Sequence, residues 1–304
     1  MATHPTIPDP RNKDIQVWID GKLYDRDQAN ISVFDSLVQG GDGVWEGLRV
    51  YNGKIFALDE HLERLQNSAH AMAFDSVPSN NEIKEAMFAT LEANGMRDET
   101  HIRLTLSRGK KVTSYMAPRV KHYGPTPIVL AECKPPIHDD KEGLQLVTSS
   151  IRRNPPQCID SKIHHNNLIN NILAKIEANV ADVDGAVMMD IEGYVSEVNA
   201  TNIFFVNKGK VLTPYADSCL PGITRSIVIN LCKDNGIPVE EKRISMAEMY
   251  SADECFTTGT MGELVPTVEI DQRIIGNGTK GPITERLQKL HRQRAETTGE
   301  PLPF

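Results

Sequence analysis

The sequence predicts a chain of α+β or mixed α/β structure, arranged as two domains joined by a short linker. Three observations carry this. The 304 residues suit two domains of ordinary size. Helix-period and strand-period stretches are interleaved within each half rather than segregated. Between the halves, Lys134-Pro135-Pro136-Ile137-His138-Asp139-Asp140-Lys141 is polar and doubly proline-bearing, the composition of a linker. The expected bounds are 1–134 for a small N-terminal domain, 135–142 for the linker and 143–304 for a larger C-terminal domain.

In the first half, Gln16 to Leu23 reads as a strand, an Asp20-Gly21 turn and a return strand. Ile31 to Phe34 reads as another short strand. Gly41-Asp42-Gly43 opens a near match to a dinucleotide-binding glycine pattern, but the third glycine, Gly47, stands one residue late. Tyr51-Asn52-Gly53-Lys54 then makes a hairpin where a helix would be needed, so a dinucleotide site is rejected. Leu58 to Met72 is helical, with Leu58, Leu62, Leu65, Ala69 and Met72 on one face and His61 and Arg64 on a neighbouring one. Asn81 to Ala93 is a second helix, stopped at Asn94-Gly95. His101–Ser107 and Ile128–Ala131 look like central strands. The polar stretch Lys110 to Pro125 between them is a candidate substrate or dimer-contact loop.

The second half opens with a strand, Leu144 to Ser150. After Lys162 comes a helix with Leu168, Ile172, Ile176 and Val180 at four-residue spacing. A strand follows at Ala186 to Met189, another at Ile203 to Val206, and a hairpin at Asn207-Lys208-Gly209. Ser226 to Asn235 is a helix ended by Gly236, and Cys255 to Thr258 a short strand.

Bulk properties exclude several classes. The net charge of −8 argues against nucleic-acid or anionic-membrane partners. No apolar run approaches the roughly 20 residues of a membrane span. Met1 to Asn12 is polar, holds Pro5, Pro8 and Pro10, and reads as a loose arm with no secretory signal. The five cysteines are scattered and form no Cys-x-x-Cys, which predicts reduced thiols and a cytoplasmic protein.

The chemistry concentrates around Gly193-Tyr194-Val195-Ser196-Glu197, followed by Asn202-Ile203-Phe204-Phe205. Glu197 is an acid among bland residues, placed at the turn that feeds an apolar strand. Alone, such an acid is usually a solvated turn residue. Its company raises its interest: Lys162 before an Asn-rich helix, Leu220-Pro221-Gly222-Ile223-Thr224-Arg225, and Thr258-Gly259-Thr260-Met261-Gly262. These blocks, in this order, resemble the class IV aminotransferases, pyridoxal-phosphate enzymes of fold type IV. The resemblance runs from about Val17 to about Leu290.

The resemblance implies a role for each block. Lys162 would hold pyridoxal 5'-phosphate as an imine and move the proton. Counted from Asn166, Lys162 fits a Lys-x-x-x-Asn pattern; counted from Asn167 or Glu177, the lysine slot falls on His164. In a strand the two would share a face and a pocket. Glu197 would keep the pyridine nitrogen protonated. Arg64, in His61-x-x-Arg64-Leu65, would hold the phosphate through its planar fork, where the bland reading is a helix-surface arginine. Leu220, Ile223 and Thr224 at a helix start, with Thr260 at another turn, would complete the phosphate cup. Arg49, Arg103, Met261 and Gly262 would shape the substrate site; Arg108, Arg152 and Arg153 are further candidates. The pair His164-His165 lacks metal-site spacing, and no metal is expected.

The expected activity is amino transfer between an amino acid, favouring a branched-chain L-amino acid, and a 2-oxo acid such as 2-oxoglutarate. A D-amino-acid aminotransferase, an aminodeoxychorismate-lyase type of enzyme and a cofactor-binding relative without catalysis remain alternatives. Relatives of this kind are homodimers, so at least a dimer is expected.

Overall fold

The computed structural model describes residues 9–135 and 143–304. Most of the expected N-terminal arm and all of the linker beyond Pro135 lie outside these residues. The described chain divides into two units. The first holds residues 9–135, 163–167 and 295–304; the second holds 143–162 and 168–294. Two pieces expected in the C-terminal domain, 163–167 and 295–304, thus group with the N-terminal residues.

The first unit is built on an antiparallel sheet. Its elements are β1 (Gln16–Ile19), β2 (Lys22–Asp25), α1 (Ser36–Gly40), β3 (Gly43–Tyr51), β4 (Lys54–Ile55), α2 (Leu58–Ala71), α3 (Asn80–Ala93), β5 (Thr100–Ser107) and β6 (Thr126–Cys133). The strand order is β16-β4-β3-β5-β6-β1-β2, where β16 is Glu300–Pro301. Two hairpins turn on dipeptides with positive φ, Asp20-Gly21 and Asn52-Gly53, the geometry two-residue hairpins require. Ser79 and Glu82 cap α3 reciprocally, and Gly95 follows it at φ +63. The apolar faces of α2 and α3 bury Leu62, Leu65, Met87 and Leu91 against Val44, Leu48, Ile102 and Leu104. Each such side chain withdrawn from water contributes about 1.5–3 kcal/mol. Ile31 to Phe34 is not a strand. The Ser32 hydroxyl accepts from the Phe34 amide and the Ser32 carbonyl from the Asp35 amide, and this turn leaves Val33 and Phe34 exposed.

The second unit is a mixed sheet with helices: β7 (Leu144–Thr148), α4 (Ile169–Val180), β8 (Gly185–Met189), β9 (Val195–Val198), β10 (Asn202–Asn207), β11 (Lys210–Thr213), α5 (Ile223–Asp234), β12 (Val239–Glu241), α6 (Met246–Tyr250), β13 (Glu254–Gly259), β14 (Glu263–Ile270), β15 (Arg273–Ile274) and α7 (Pro282–Thr297), whose last residues group with the first unit. The order is β12-β11-β10-β13-β14-β7-β8-β9, with β15 beside β14. The apolar runs read as strands are buried on both faces: Ile203, Phe204, Phe205 and Val206 are all essentially inaccessible. Phe204 stacks on Phe256 across the β10–β13 pair, with ring centroids 5.0 Å apart. Among the described residues, no helix is long and apolar enough to cross a membrane.

Candidate active site

Glu197 is not at a turn. It lies within β9, opposite Met188 of β8, because the chain reverses only after Val198. There it is buried, and its Oε1 stands 2.7 Å from Arg153 Nε. The Leu220 amide donates to the carboxylate, and Asn202 Nδ2 is 3.5 Å from Oε2. Burial raises its pKa to about 7, with the Arg153 charge pulling the other way. The carboxyl is therefore short of compensating positive charge.

Arg153 is neither solvated nor free for a substrate. Its Nη1 donates to Asn170 Oδ1 at 2.5 Å and its Nη2 to Ser161 Oγ at 2.8 Å. One guanidinium thus ties Glu197 to the residue before Lys162. Lys162 itself lies in a turn fixed by its amide donating to Asp160 Oδ1 at 3.0 Å. Its side chain is exposed and, among the described residues, makes no hydrogen bond or ion pair. The expectation that Lys162 and His164 alternate along one strand fails, since the extended stretch begins after Lys162. His165 bridges to Val44, and the Asn166 amide donates to Gly43 O.

Helix α5 begins without a side-chain cap. Gly222 is its N-cap and offers no side chain, so the first-turn amides around Ile223 and Thr224 have no side-chain cap. A Cβ on Gly222 would meet Asn202 Oδ1 at 2.1 Å, so glycine is needed for this approach. Asn202 also donates to Leu220 O at 2.9 Å, fixing the loop that feeds the helix. Opposite Asn202 in the β10–β13 ladder is Thr258, whose buried Oγ1 has no hydrogen-bond partner among the described residues. Thr260, Met261 and Gly262 form the half-buried turn from β13 to β14.

In the first unit the sheet separates two kinds of chemistry. On the helix-covered face, Glu46 is fully buried. It receives Arg64 Nε at 2.8 Å and Nη2 at 2.7 Å, His61 Nδ1 at 2.6 Å and His164 Nδ1 at 3.1 Å. Burial alone would neutralise this acid; His164, Arg64 and His61 outweigh it and hold it well below the usual carboxylate range. Burial pushes His164 down to about 4, against the pull of Glu46. Arg64 therefore gives two of its donors to Glu46. Glu46 is absent from the residues singled out by motif, although a signal is present: in the alternating set Val44, Glu46, Leu48, Val50 it is the one acid among apolar residues.

On the other face, Arg103 lies over the Trp45 ring with its Cζ 3.4 Å from the centroid. Arg103 pairs with Gly47, and His101 with Arg49. Arg49 is 1% exposed; its Nη2 donates to Lys134 O, while Nε and Nη1 have no hydrogen-bond partner among the described residues. Burial lowers His101 to about 3, helped by the positive Lys134, Arg49 and Arg103, and lowers Arg103 to about 10. This face offers unspent cationic donors suited to a carboxylate. Arg108 does not join it. Arg108 pairs with Asp42 at 2.7 Å and donates to the carbonyls of Met72 and Ala73, a structural role. Arg152 donates to Ser149 O. Among the described residues no group of three His, Cys, Asp or Glu could hold a metal.

The structure thus brings Glu197, Leu220, Ile223, Thr224, Thr260, Met261, Gly262 and Lys162 into the second unit, and Arg49, Arg64 and Arg103 into the first. Sequence reasoning missed Asn202 and Thr258 as partners in this chemistry and left the role of Arg153 open.

Comparison with known proteins places this arrangement. The model of the amino-transferase class IV family matches residues 43–270. The chain is 58% identical over 299 residues to branched-chain-amino-acid aminotransferase-like protein 2 of Arabidopsis thaliana. That match takes in 98% of this chain but 54% of the plant protein, so the chain spans about half the length of that relative. It is 35% identical to the branched-chain-amino-acid aminotransferase of Pseudomonas aeruginosa, over 92% of each chain. Among solved structures it resembles the branched-chain amino acid aminotransferase from Thermobaculum terrenum in its PLP-form, the holo-form. There the TM-score is 0.83 and the identity 28%, over 94% of this chain and 95% of that one. The fold is therefore the fold type IV expected from the motifs, and pyridoxal 5'-phosphate is the cofactor that goes with it. The chain belongs to the class IV aminotransferase family.

Proposed function

We propose that this chain binds pyridoxal 5'-phosphate and transfers the amino group of an amino acid, a branched-chain L-amino acid foremost, to a 2-oxo acid such as 2-oxoglutarate. The observation that carries the reading is the link Glu197–Arg153–Ser161, which sets Lys162 one residue from a side chain tied to the buried acid. The donor set of the second unit supports the cofactor. Glu197 is a buried carboxyl lacking positive charge, α5 begins without a side-chain cap, and Thr258 has an unspent buried hydroxyl.

Bound there, the cofactor supplies an electron sink for the carbanion that forms when a substrate Cα loses its proton. In the proposed mechanism Lys162, whose side chain is exposed and uncommitted, would take that proton on its amine and deliver it away from Cα, to the cofactor carbon that bears the transferred nitrogen. Glu197 would keep the ring nitrogen protonated, with Arg153 keeping the carboxyl oriented. In the second unit the amides of Ile223 and Thr224 and the hydroxyls of Thr258 and Thr260 would hold the phosphate. In the first unit Arg49 and Arg103 offer donors suited to a carboxylate. We also read the protein as a homodimer, and as cytoplasmic, since its five cysteines are free thiols.

Borohydride reduction with pyridoxal phosphate followed by peptide mass mapping tests the reading; a pyridoxyl mark on Lys162 is expected. A second reading is favoured by His164, which lies half-buried beside Arg64 and Glu46 on the segment paired with β3. In that reading the cofactor is held without a lysine bond, and bound cofactor would leave no mark. Assays with both enantiomers of the donor separate the L-amino-acid reading from D-amino-acid and lyase activities.

A further inference from the structure

Arg103 is held by a surface that takes none of its hydrogen-bond donors. Its Cζ stands over the Trp45 ring, 3.4 Å from the centroid. A guanidinium on edge would drive a nitrogen into the ring at this distance, so the two planes lie nearly parallel. The N–H groups of a guanidinium lie in its plane and radiate outward, so a flat stack leaves them clear of the ring. Among the described residues the Arg103 guanidinium makes no hydrogen bond or ion pair, and the side chain is half-buried rather than sealed. Arg108 shows the contrast: it lies over Phe74 but also pairs with Asp42.

Trp45 is itself braced. It lies in β3, where alternation turns it to the face opposite Glu46, and it pairs with Thr105 of β5. Residues 163–167 belong to the same unit and bridge to β3 through Val44 and His165. The Trp45 amide donates to His164 O at 3.0 Å, and its indole Nε1 to His165 O at 3.2 Å. The ring centroids of Trp45 and His164 are 4.0 Å apart. Gly47, two residues on along the same face, keeps the site open: a Cβ there would crowd His101 Nε2 at 3.2 Å and touch Trp45 Cζ3 at 3.5 Å. An indole held by its N–H and by a neighbouring ring fixes the cation that lies on it.

We propose that Trp45 is a positioning residue for carboxylate recognition: it holds Arg103 by its face, so that the guanidinium keeps a pair of parallel donors for the carboxylate of a bound substrate. The proposal rests on the reading of Arg103 as a carboxylate donor and adds the residue through which Arg103 works. The chemistry favours a stack over an ion pair at this position. An acid facing Arg103 would fix it as well, but would occupy the same donors and repel the incoming carboxylate. The indole is neutral, and its electron-rich face attracts the cation while leaving the edges of the guanidinium open. With its pKa lowered by burial to about 10, Arg103 is still charged at neutral pH.

The test uses the full chain loaded with pyridoxal phosphate and two probes of one shape, 3-methylbutanoate and 3-methylbutanamide, with binding read by calorimetry. The unchanged chain should bind the carboxylate roughly tenfold or more tightly than the amide, and Arg103→Leu should erase that preference. Trp45→Leu should weaken the carboxylate about tenfold, the order of a cation–π contact out of water, and move the amide less than about twofold. Trp45→Phe, which keeps an aromatic face, should return most of the loss. Fluorinated tryptophans placed at position 45 keep the shape of the ring and drain its face, so the carboxylate preference should fall with each added fluorine. That series decides alone should Trp45→Leu fail to fold. Equal losses for both probes in Trp45→Leu, or a preference indifferent to fluorination, would overturn the role of Trp45 and leave that of Arg103 standing. An unchanged chain that binds the two probes alike, or a preference that survives Arg103→Leu, would remove Arg103 from carboxylate binding and the proposal with it.

Discussion

Arg153→Met isolates the electrostatics around Glu197. Methionine keeps most of the packing and removes the charge 2.7 Å from the carboxylate. The folded Glu197 pKa of about 7 lies above its ordinary 4.5. The folded state therefore holds an extra proton between these values, and this group makes stability fall as pH rises through that window. Losing an adjacent opposite charge raises such a pKa by a further 1–3 units, so about 9 is expected in the variant. The decline then continues where the unchanged protein has finished titrating. At 1.36 kcal/mol per unit the added cost is close to zero at pH 6 and about 1.4 kcal/mol at pH 8. A pH-independent loss of about 1–3 kcal/mol accompanies it from the partners orphaned at Asn170 and Ser161. Urea unfolding followed by far-UV circular dichroism at both pH values reads the difference. Equal destabilisation at pH 6 and pH 8 would refute the claim that Arg153 is the counter-charge of Glu197.

Other predictions follow from the same geometry. Lys162→Ala should abolish amino transfer and the pyridoxyl mark while changing stability by less than about 0.5 kcal/mol, because the side chain is exposed; retained turnover would remove Lys162 from the mechanism. Gly222→Ala places a Cβ 2.1 Å from Asn202 Oδ1 and should weaken pyridoxal-phosphate binding at least tenfold in a spectroscopic titration. His164, held down to about 4, stays neutral in the folded chain while its unfolded counterpart protonates below about 6.5. Stability should therefore fall as pH drops from 6.5 towards 4, with His164 accounting for about 2 kcal/mol at pH 5. His164→Gln should flatten that part of the profile in pH-dependent urea unfolding.

Much of the fold could be read because its signals are local. Asp20-Gly21, Asn52-Gly53 and Lys208-Gly209 each turn a hairpin at the positive φ their residues tolerate. The Ser79–Glu82 pair and Asn94-Gly95 bracket a helix within a residue of its expected bounds. Glu197 was legible as an acid out of keeping with its surroundings. Its environment was not, since Arg153 is 44 residues away and looked the same as its neighbour Arg152. Which of two adjacent arginines is buried depends on where the preceding strand ends, and β7 stops at Thr148, short of the expected Ser150. The same limit hid Glu46. Its partners His61 and Arg64 sit one turn apart on a helix, but that they face β3 is a fact of packing.

Helix α4 shows where periodicity stops being informative. The spacing of Ile172, Ile176 and Val180 says that these residues share a side, and they do. Spacing is silent on which way that side points. The decision falls to the residues between them. Ala174 and Ala178 are small enough for the helix to lie close on β7 and β8, and Asn171, Lys175 and Glu177 find partners only if turned inward. Turning the helix over would bury the larger apolar area but take Glu177 from the buried Ser149 hydroxyl and Asn170 from the buried Arg153. A buried guanidinium deprived of a partner costs more than a leucine left in water. An apolar stripe that would signal a core in isolation is held outward here by the residue that holds Glu197.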